Sequence, residues 1–274
     1  IGYWNVRTLY QASKLAQVIK EMEEYNLNIL GLSEVRWTDS GKFVSDDKTI
    51  LFSGRQDGIH RDGVALVLDK PASNALEEWS PINERLLTAR FVTNHAKVTI
   101  VQCYAPINER DDIHKDTFYE QLQDLVDKTP RHDILVIMGD MNAQIGGSRE
   151  GFEHTLGPHA FGNRTDNGDR YIHFCSMNNM KIGSSLFEHK DIYKITWLSN
   201  DHKTRTQIDH IAIGPRWRTP CLQDVRVYRG ADVGSDHYLS IAKMKIRLKK
   251  QKKKTSLPKR FDTSKLKDPA TEEK

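Results

Sequence analysis

The chain has 274 residues, 38% of them hydrophobic, enough to supply the core of one large α/β or all-β domain. Its formal charge of +4 is unevenly placed: residues 245 to 274 hold 12 Lys/Arg and 4 Asp/Glu, a local +8, which leaves −4 on residues 1 to 244. No run approaches the roughly 18 apolar residues of a membrane helix, and the N-terminal stretch lacks the regions of a signal peptide, so a soluble intracellular protein, nuclear or cytoplasmic, is expected.

Ile1 to Val6 reads as a short strand, and Leu15, Ala16, Val18, Ile19, Met22 and Tyr25 then recur at the i, i+3, i+4, i+7 spacing of an amphipathic helix. A second apolar run, Ile29 to Leu32, completes strand, helix, strand within about 35 residues, which predicts a βαβ unit with parallel neighbours. Glu34 lies just past that second strand. Thr49 to Ser53, Val64 to Asp69, Leu86 to Val92 and Val98 to Tyr104 are short β-rich runs separated by Asp-Gly or Asn-containing turns, and they predict meander strands.

His114 to Val126 predicts a helix, followed by a strand over Ile134 to Met138 that closes in Gly139-Asp140-Met141-Asn142. Asn167-Gly168 predicts a turn ahead of a helix around Arg170 to Met180. Strands over Ile195 to Leu198, Gln207 to Ile213, Val225 to Tyr228 and Tyr238 to Ile246 complete a strand-rich half. From Lys249 onward the chain is Lys-rich and nearly free of apolar residues, which predicts a domain over 1–248 and a flexible basic tail or linker over 249–274. Cys103, Cys175 and Cys221 are odd in number and form no CxxC pair, which fits small hydrophobes in a reducing compartment.

Polar residues gather directly after apolar strands: Trp4-Asn5, Ser33-Glu34, Gly139 to Asn142, Ile208-Asp209 and Gly234-Ser235-Asp236-His237. Several strand ends converging on one sheet edge would make a rigid, carboxylate-lined pocket. Carboxylates and amides are hard oxygen ligands that suit Mg²⁺, with Mn²⁺ as a substitute, and neither HExxH nor CxxC argues for zinc. Each cluster also has a bland reading. GDMN is standard turn chemistry, Glu34 could be merely the first solvated residue after a strand, and the remaining histidines show no ligand spacing.

The joint order is more specific. WNVRTL at 4 to 9, SEVRW at 33 to 37, YAP at 104 to 106, GDMNA at 139 to 143, QIDHI at 207 to 211 and GSDHY at 234 to 238 together resemble the endonuclease/exonuclease/phosphatase superfamily over essentially all of residues 1 to 246. Within it the chain is similar to the apurinic-type endonuclease domain of non-LTR retrotransposons and of the craniofacial development protein 2-like group. The Asn167-Gly168 turn before His173-Phe174-Cys175 and the stretch RFDTSKLKD at 260 to 268 share that likeness.

The resemblance implies a deoxyribonuclease I-like fold, a four-layer α/β sandwich of two packed mixed β-sheets flanked by helices. It implies a Mg²⁺-dependent DNA endonuclease, with a reverse transcriptase domain as a downstream neighbour; for the oligomeric state a monomer is the default expectation. Glu34 would be the main metal ligand, with Asn5 and Asp236 nearby. Asp140 would activate water, Asn142 would hold the phosphate, and His237, oriented by Asp209, would stand at the scissile phosphate. Tyr104 would donate to a phosphate oxygen, although an aromatic there also reads as packing. The family's repair enzymes carry an acid two residues after the first-strand Asn; this chain has Arg7, which favours a nicking enzyme over a repair enzyme. Lys249, Lys250, Lys252, Lys253 and Lys254 would supply DNA contacts, or serve as a linker or a nuclear-localisation run. Two rivals stay open: a phosphatase or phospholipase of the same superfamily, and an inert domesticated interaction module.

Overall fold

The computed structural model describes residues 1–214 and 221–249. The expected βαβ unit opens it: β1 (Gly2–Asn5), α1 (Ala12–Glu24) and β2 (Ile29–Ser33), with β1 and β2 parallel and Asn5 level with Ser33. An antiparallel meander follows, of β3 (Ser40–Ser45), β4 (Lys48–Ser53) and β5 (Val64–Leu68). After the short helix α2 (Lys70–Ala75) comes a second meander of β6 (Leu76–Asn83), β7 (Leu86–Val92) and β8 (Lys97–Tyr104). Then α3 (Asp112–Lys128) crosses over to β9 (Ile134–Asp140), which lies parallel to β8.

The rest comprises α4 (Asp166–Met177), β10 (Lys181–Ile182), β11 (Trp197–Leu198), β12 (Arg205–Thr206), β13 (Asp209–Ile213), β14 (Leu222–Tyr228) and β15 (Leu239–Met244). Two mixed sheets result, a seven-stranded one in the order β14-β15-β1-β2-β5-β4-β3 and a six-stranded one in the order β10-β13-β9-β8-β7-β6. Between them lies a core of alternate strand residues, among them Tyr3, Leu66, Ile100, Val136, Met138 and Ile211. The other faces meet helices: Val18, Ile19 and Met22 of α1 pack on Trp4, Leu30 and Val67, while Phe118 of α3 and Tyr171 and Phe174 of α4 pack on Val101, Leu135 and Ile137. This is the four-layer sandwich expected from the sequence.

Several details differ from expectation. β3 and β6 occupy sheet edges and were not predicted. The helix expected around Arg170 starts at Asp166, because Thr165 Oγ1 accepts the Gly168 N–H at 3.2 Å and makes the expected turn at Asn167-Gly168 the helix's first turn. The strand over Ile195 to Leu198 shrinks to β11, which pairs with β12 outside both sheets and makes a single antiparallel bridge, Trp197 to His237. Cys103, Cys175 and Cys221 are buried and free, and among the described residues no helix is long and apolar enough to cross a membrane. Lys249 is tied by its backbone, its N–H donating to the Val92 carbonyl at 3.0 Å; Lys250, Lys252, Lys253 and Lys254 lie outside the described residues.

Candidate active site

Period-two alternation decides which side chains meet. The inner face of β1 carries Tyr3 and then Asn5, that of β9 carries Met138 and then Asp140, that of β13 carries Ile211 and then Asp209, and that of β8 carries Ile100 and Gln102 and then Tyr104. Strand register sets Asp140 level with Tyr104 on one side and with Asp209 on the other. The two inner faces therefore run out into polar residues at a single edge. Gly139 permits that packing, because a Cβ there would stand 2.1 Å from the Cys103 carbonyl oxygen.

Two bridges join the sheets at this edge. In the first, Asn5 Nδ2 donates to Glu34 Oε1 and to Asp140 Oδ2, both at 3.0 Å. In the second, His237 Nδ1 donates to Asp209 Oδ2 at 3.0 Å, which leaves Nε2 facing Asp140 Oδ2 at 3.9 Å. His237 is set by its own backbone: its N–H donates to Ser235 Oγ at 3.1 Å, Ser235 Oγ donates to the Asn5 carbonyl at 2.6 Å, and Trp4 Nε1 donates to the His237 carbonyl at 2.9 Å. Thr196 Oγ1 accepts the Asp209 N–H at 3.2 Å.

Glu34 stands just past β2 in left-handed backbone, φ 56°, and its second carboxylate oxygen accepts from Arg36 at 3.1 Å. Asn142 is also left-handed, at φ 45°, a conformation Asn tolerates. Its N–H donates to Asp140 Oδ1 and its Nδ2 to the Ala105 carbonyl, each at 2.9 Å. Asp236 goes elsewhere. Its Oδ2 accepts from Trp197 Nε1 at 3.1 Å, and Arg7 Nε lies 3.7 Å from Oδ1. Of the expected metal trio, Asn5 and Glu34 thus touch, while Asp236 pairs with Trp197 and Arg7. Glu34 and Asp236 border one cleft, a space of about 450 Å³ lined also by Tyr104, Asp140, Asn142 and His237, with the half-exposed Arg7 and Arg36 beside them; Asn5 is fully buried.

Burial, aided by the charge on Asp209, pushes the Asp140 carboxyl up to about 7 against the pull of His237 and its two hydrogen bonds. Burial works against a charge on His237 too, but Asp209, then Asp140 and Asp236, outweigh it and raise the imidazole to about 9. Burial and the charges of Glu34 and Asp140 hold the Tyr104 phenol well above its ordinary value. Around neutrality a charged imidazole therefore stands between two carboxyl groups, and the Asp140 carboxyl is near its own midpoint.

Glu34, Asp140 and Asp236 offer carboxylate oxygens, the donor chemistry of Mg²⁺ or Mn²⁺; the Asn5 amide oxygen accepts the Arg7 N–H at 3.0 Å, and Asp236 Oδ1 is a buried acceptor with no hydrogen-bond donor among the described residues. The residues fit a hard divalent cation. Arg36 competes for Glu34, but a half-exposed ion pair opens at little cost. Asp140, Asp209 and His237 also bring ligand-type atoms within 4.8 Å of one another, a closeness that the Asp209–His237 hydrogen bond and the register pairing of Asp140 with Asp209 account for.

The residues that support the site carry little signal in the sequence. Gln102 is fully buried and donates to the Leu32 carbonyl at 3.3 Å and to its neighbour Cys103 at 3.2 Å, which ties the sheets together beneath the site. A glutamine inside the otherwise apolar run of β8 was the available signal. Thr196 had none, because its partner is fixed only by the tertiary fold. Lys249, from the expected basic tail, sits beside Val92, at the end of β7 away from Leu86 and its register partner Cys103.

The chain belongs to the endonuclease/exonuclease/phosphatase family, whose pattern it matches over residues 2–237. It is 40% identical over 249 residues to craniofacial development protein 2 of Bos taurus, a match that takes in 91% of this chain and 41% of that protein, so the chain spans less than half of that relative's length. Among solved structures it is similar to an AP endonuclease from Archaeoglobus fulgidus, with a TM-score of 0.65 and 19% identity over 89% of this chain and 98% of that one. It is also similar to the endonuclease domain of TRAS1, a telomere-specific non-LTR retrotransposon, with a TM-score of 0.62 and 15% identity over 89% and 97%. At these identities the structural likenesses bear on the fold.

Proposed function

We propose that this chain is a divalent-metal-dependent phosphodiesterase that nicks DNA. The observation that carries the reading is the double bridge across the sheets, Asn5 to Asp140 and His237 to Asp209, opening on one cleft beside Glu34. Phosphodiester hydrolysis needs a base for water, charge stabilisation at the phosphoryl group and help for the leaving oxygen. Asp140, steadied by Asn5 and Asn142, takes the proton from water. His237 has Nδ1 committed to Asp209, so Nε2–H is left to donate to a phosphate oxygen in the cleft. The Tyr104 hydroxyl and the second amide proton of Asn142 are further donors there.

Glu34, with Asn5 and Asp236, would hold Mg²⁺ or Mn²⁺, and such an ion supplies Lewis-acid polarisation of the phosphoryl group when bound. Arg7 and Arg36 offer guanidiniums to neighbouring phosphates. A polar, charged cleft of this kind suits a nucleic-acid backbone better than a lipid tail, and the family's general dependence on divalent metals agrees with the donor set.

Supercoiled-plasmid nicking tests the reading, run with Mg²⁺, with EDTA, and with Glu34→Ala and His237→Ala beside the wild type. Relaxed circles that need the metal and vanish in both variants are the expected result. A folded wild-type chain that nicks nothing with either Mg²⁺ or Mn²⁺ overturns it.

A further inference from the structure

A buried carboxylate beside the site takes no part in this chemistry. Asp62 is 6% exposed and faces three guanidiniums: Oδ1 accepts from Arg85 at 3.2 Å, Oδ2 from Arg61 at 3.4 Å, and Arg55 lies 3.6 Å from Oδ2. At that depth an ionised acid persists only when charge and hydrogen bonds compensate its lost hydration.

The backbone at the same point holds the segment that follows Glu34. Asp62 and Gly63 both lie in the left-handed region, φ 60° and 93°. The Asp62 carbonyl accepts the Arg36 N–H at 2.9 Å, and the Gly63 carbonyl accepts the Val35 N–H at 3.2 Å. A Cβ at Gly63 would stand 2.9 Å from Val35 Cγ2, so glycine suits the position twice over. The Gly63 N–H donates in turn to the Glu84 carbonyl at 3.0 Å, one residue before Arg85.

Arg85 carries the link to the other sheet. Its Nη1 donates to the Tyr104 carbonyl at 3.1 Å, its guanidinium carbon lies 5.0 Å from the centre of the Tyr104 ring, and its own carbonyl accepts the Tyr104 N–H at 2.9 Å. One part-buried ion pair therefore touches both the turn that presents Glu34 and the aromatic residue at the end of β8.

We propose that Asp62 and Arg85 are positioning residues for the cleft, a strut that fixes the Tyr104 hydroxyl relative to the Glu34 turn. The inference rests on the phosphodiesterase reading for its consequence, though not for its geometry. Arginine is needed because a planar fork reaches the carboxylate, the carbonyl and the ring at once, which a lysine ammonium does not.

The test has two readouts. With 3-fluorotyrosine placed at position 104, the ¹⁹F NMR spectrum of the wild type should show one narrow line, and Arg85→Met, Arg85→Lys and Asp62→Asn should shift and broaden it while the chain stays folded by circular dichroism. An unchanged line in the folded variants overturns the strut whether or not the chain cleaves anything. In nicking assays the same variants should lose kcat by roughly 10- to 100-fold at unaltered KM for DNA, the scale of a misplaced reacting group. Arg85→Met added to Tyr104→Phe should then lose little more than Tyr104→Phe alone. Fully additive losses, or a raised KM with kcat intact, would make Arg85 a DNA contact and overturn the proposal. A wild type that cleaves nothing overturns the functional reading and leaves the fluorine line to decide the strut.

Discussion

Asp209 opens β13 and His237 lies just before β15 of the other sheet, and both are buried, so their hydrogen bond must offset the lost hydration of two ionisable groups. The arrangement is sensible if the imidazole is to stay charged in the cleft. Asp209 provides charge and a fixed acceptor for Nδ1, while Thr196, Ser235 and Trp4 hold the backbones on either side. Asp209→Asn preserves the shape but removes the charge, and the imidazole should fall back from about 9 toward its ordinary range. Nicking at neutral pH should drop by roughly 10²-fold, as should that of Asp140→Ala and of His237→Ala, the scale for a lost proton-transfer partner. Rates near wild type in all three variants would remove these residues from the chemistry.

At the scale of single elements, β13 is held to the loop after β9 by His210. Its Nε2 donates to the Ala143 carbonyl at 2.7 Å, its Nδ1 accepts from Ser184 Oγ at 3.0 Å, and its ring stacks on Tyr171. Burial lowers this imidazole from 6.5 to about 4, so the folded chain keeps it neutral while the unfolded chain takes up a proton. Between those values the unfolded state binds more protons, and stability that is fully present above pH 6.5 is lost as the pH falls toward 4, by about 3 kcal/mol. Urea melts across that window should show the loss in the wild type and a shallower slope in His210→Gln; parallel slopes would dismiss the histidine. Elements like these were legible in the sequence where the apolar pattern is strong: α1 by its 3.6 period and β9 by a continuous apolar run covered on both faces. β3 was not, because most of its residues face solvent, nor was β6, an edge strand with Pro81 in it and two register shifts. The strand-end clusters stood out as a group for the same reason that the strands did. Which atoms meet did not, because the pairing of Asp236 with Trp197 and Arg7, or of Gln102 with Leu32, depends on contacts between residues remote in sequence.

Over the whole molecule, charge and geometry are separated. Residues 1 to 244 carry a net −4 while residues 245 to 274 carry +8, and Lys249 is pinned beside Val92 at the end of β7 away from the cleft. Seven strand residues put that end roughly 20 Å from the cleft, so the lysines that follow must cross that distance to reach a phosphate bound there. Two outcomes separate a DNA-binding tail from a linker. If about six tail cations contact phosphates, log affinity for duplex DNA should fall against log salt with a slope near −5, and a chain ending at residue 249 should lose most of that slope. Its nicking rate at saturating DNA should be unchanged, because every residue assigned to the cleft lies before residue 238. Fluorescence anisotropy with a short duplex between about 50 and 200 mM salt reads the difference. Equal slopes for the two chains would place the phosphate contacts on the domain itself, where Arg7 and Arg36 are the guanidiniums beside the cleft, and would leave the basic segment as a connector.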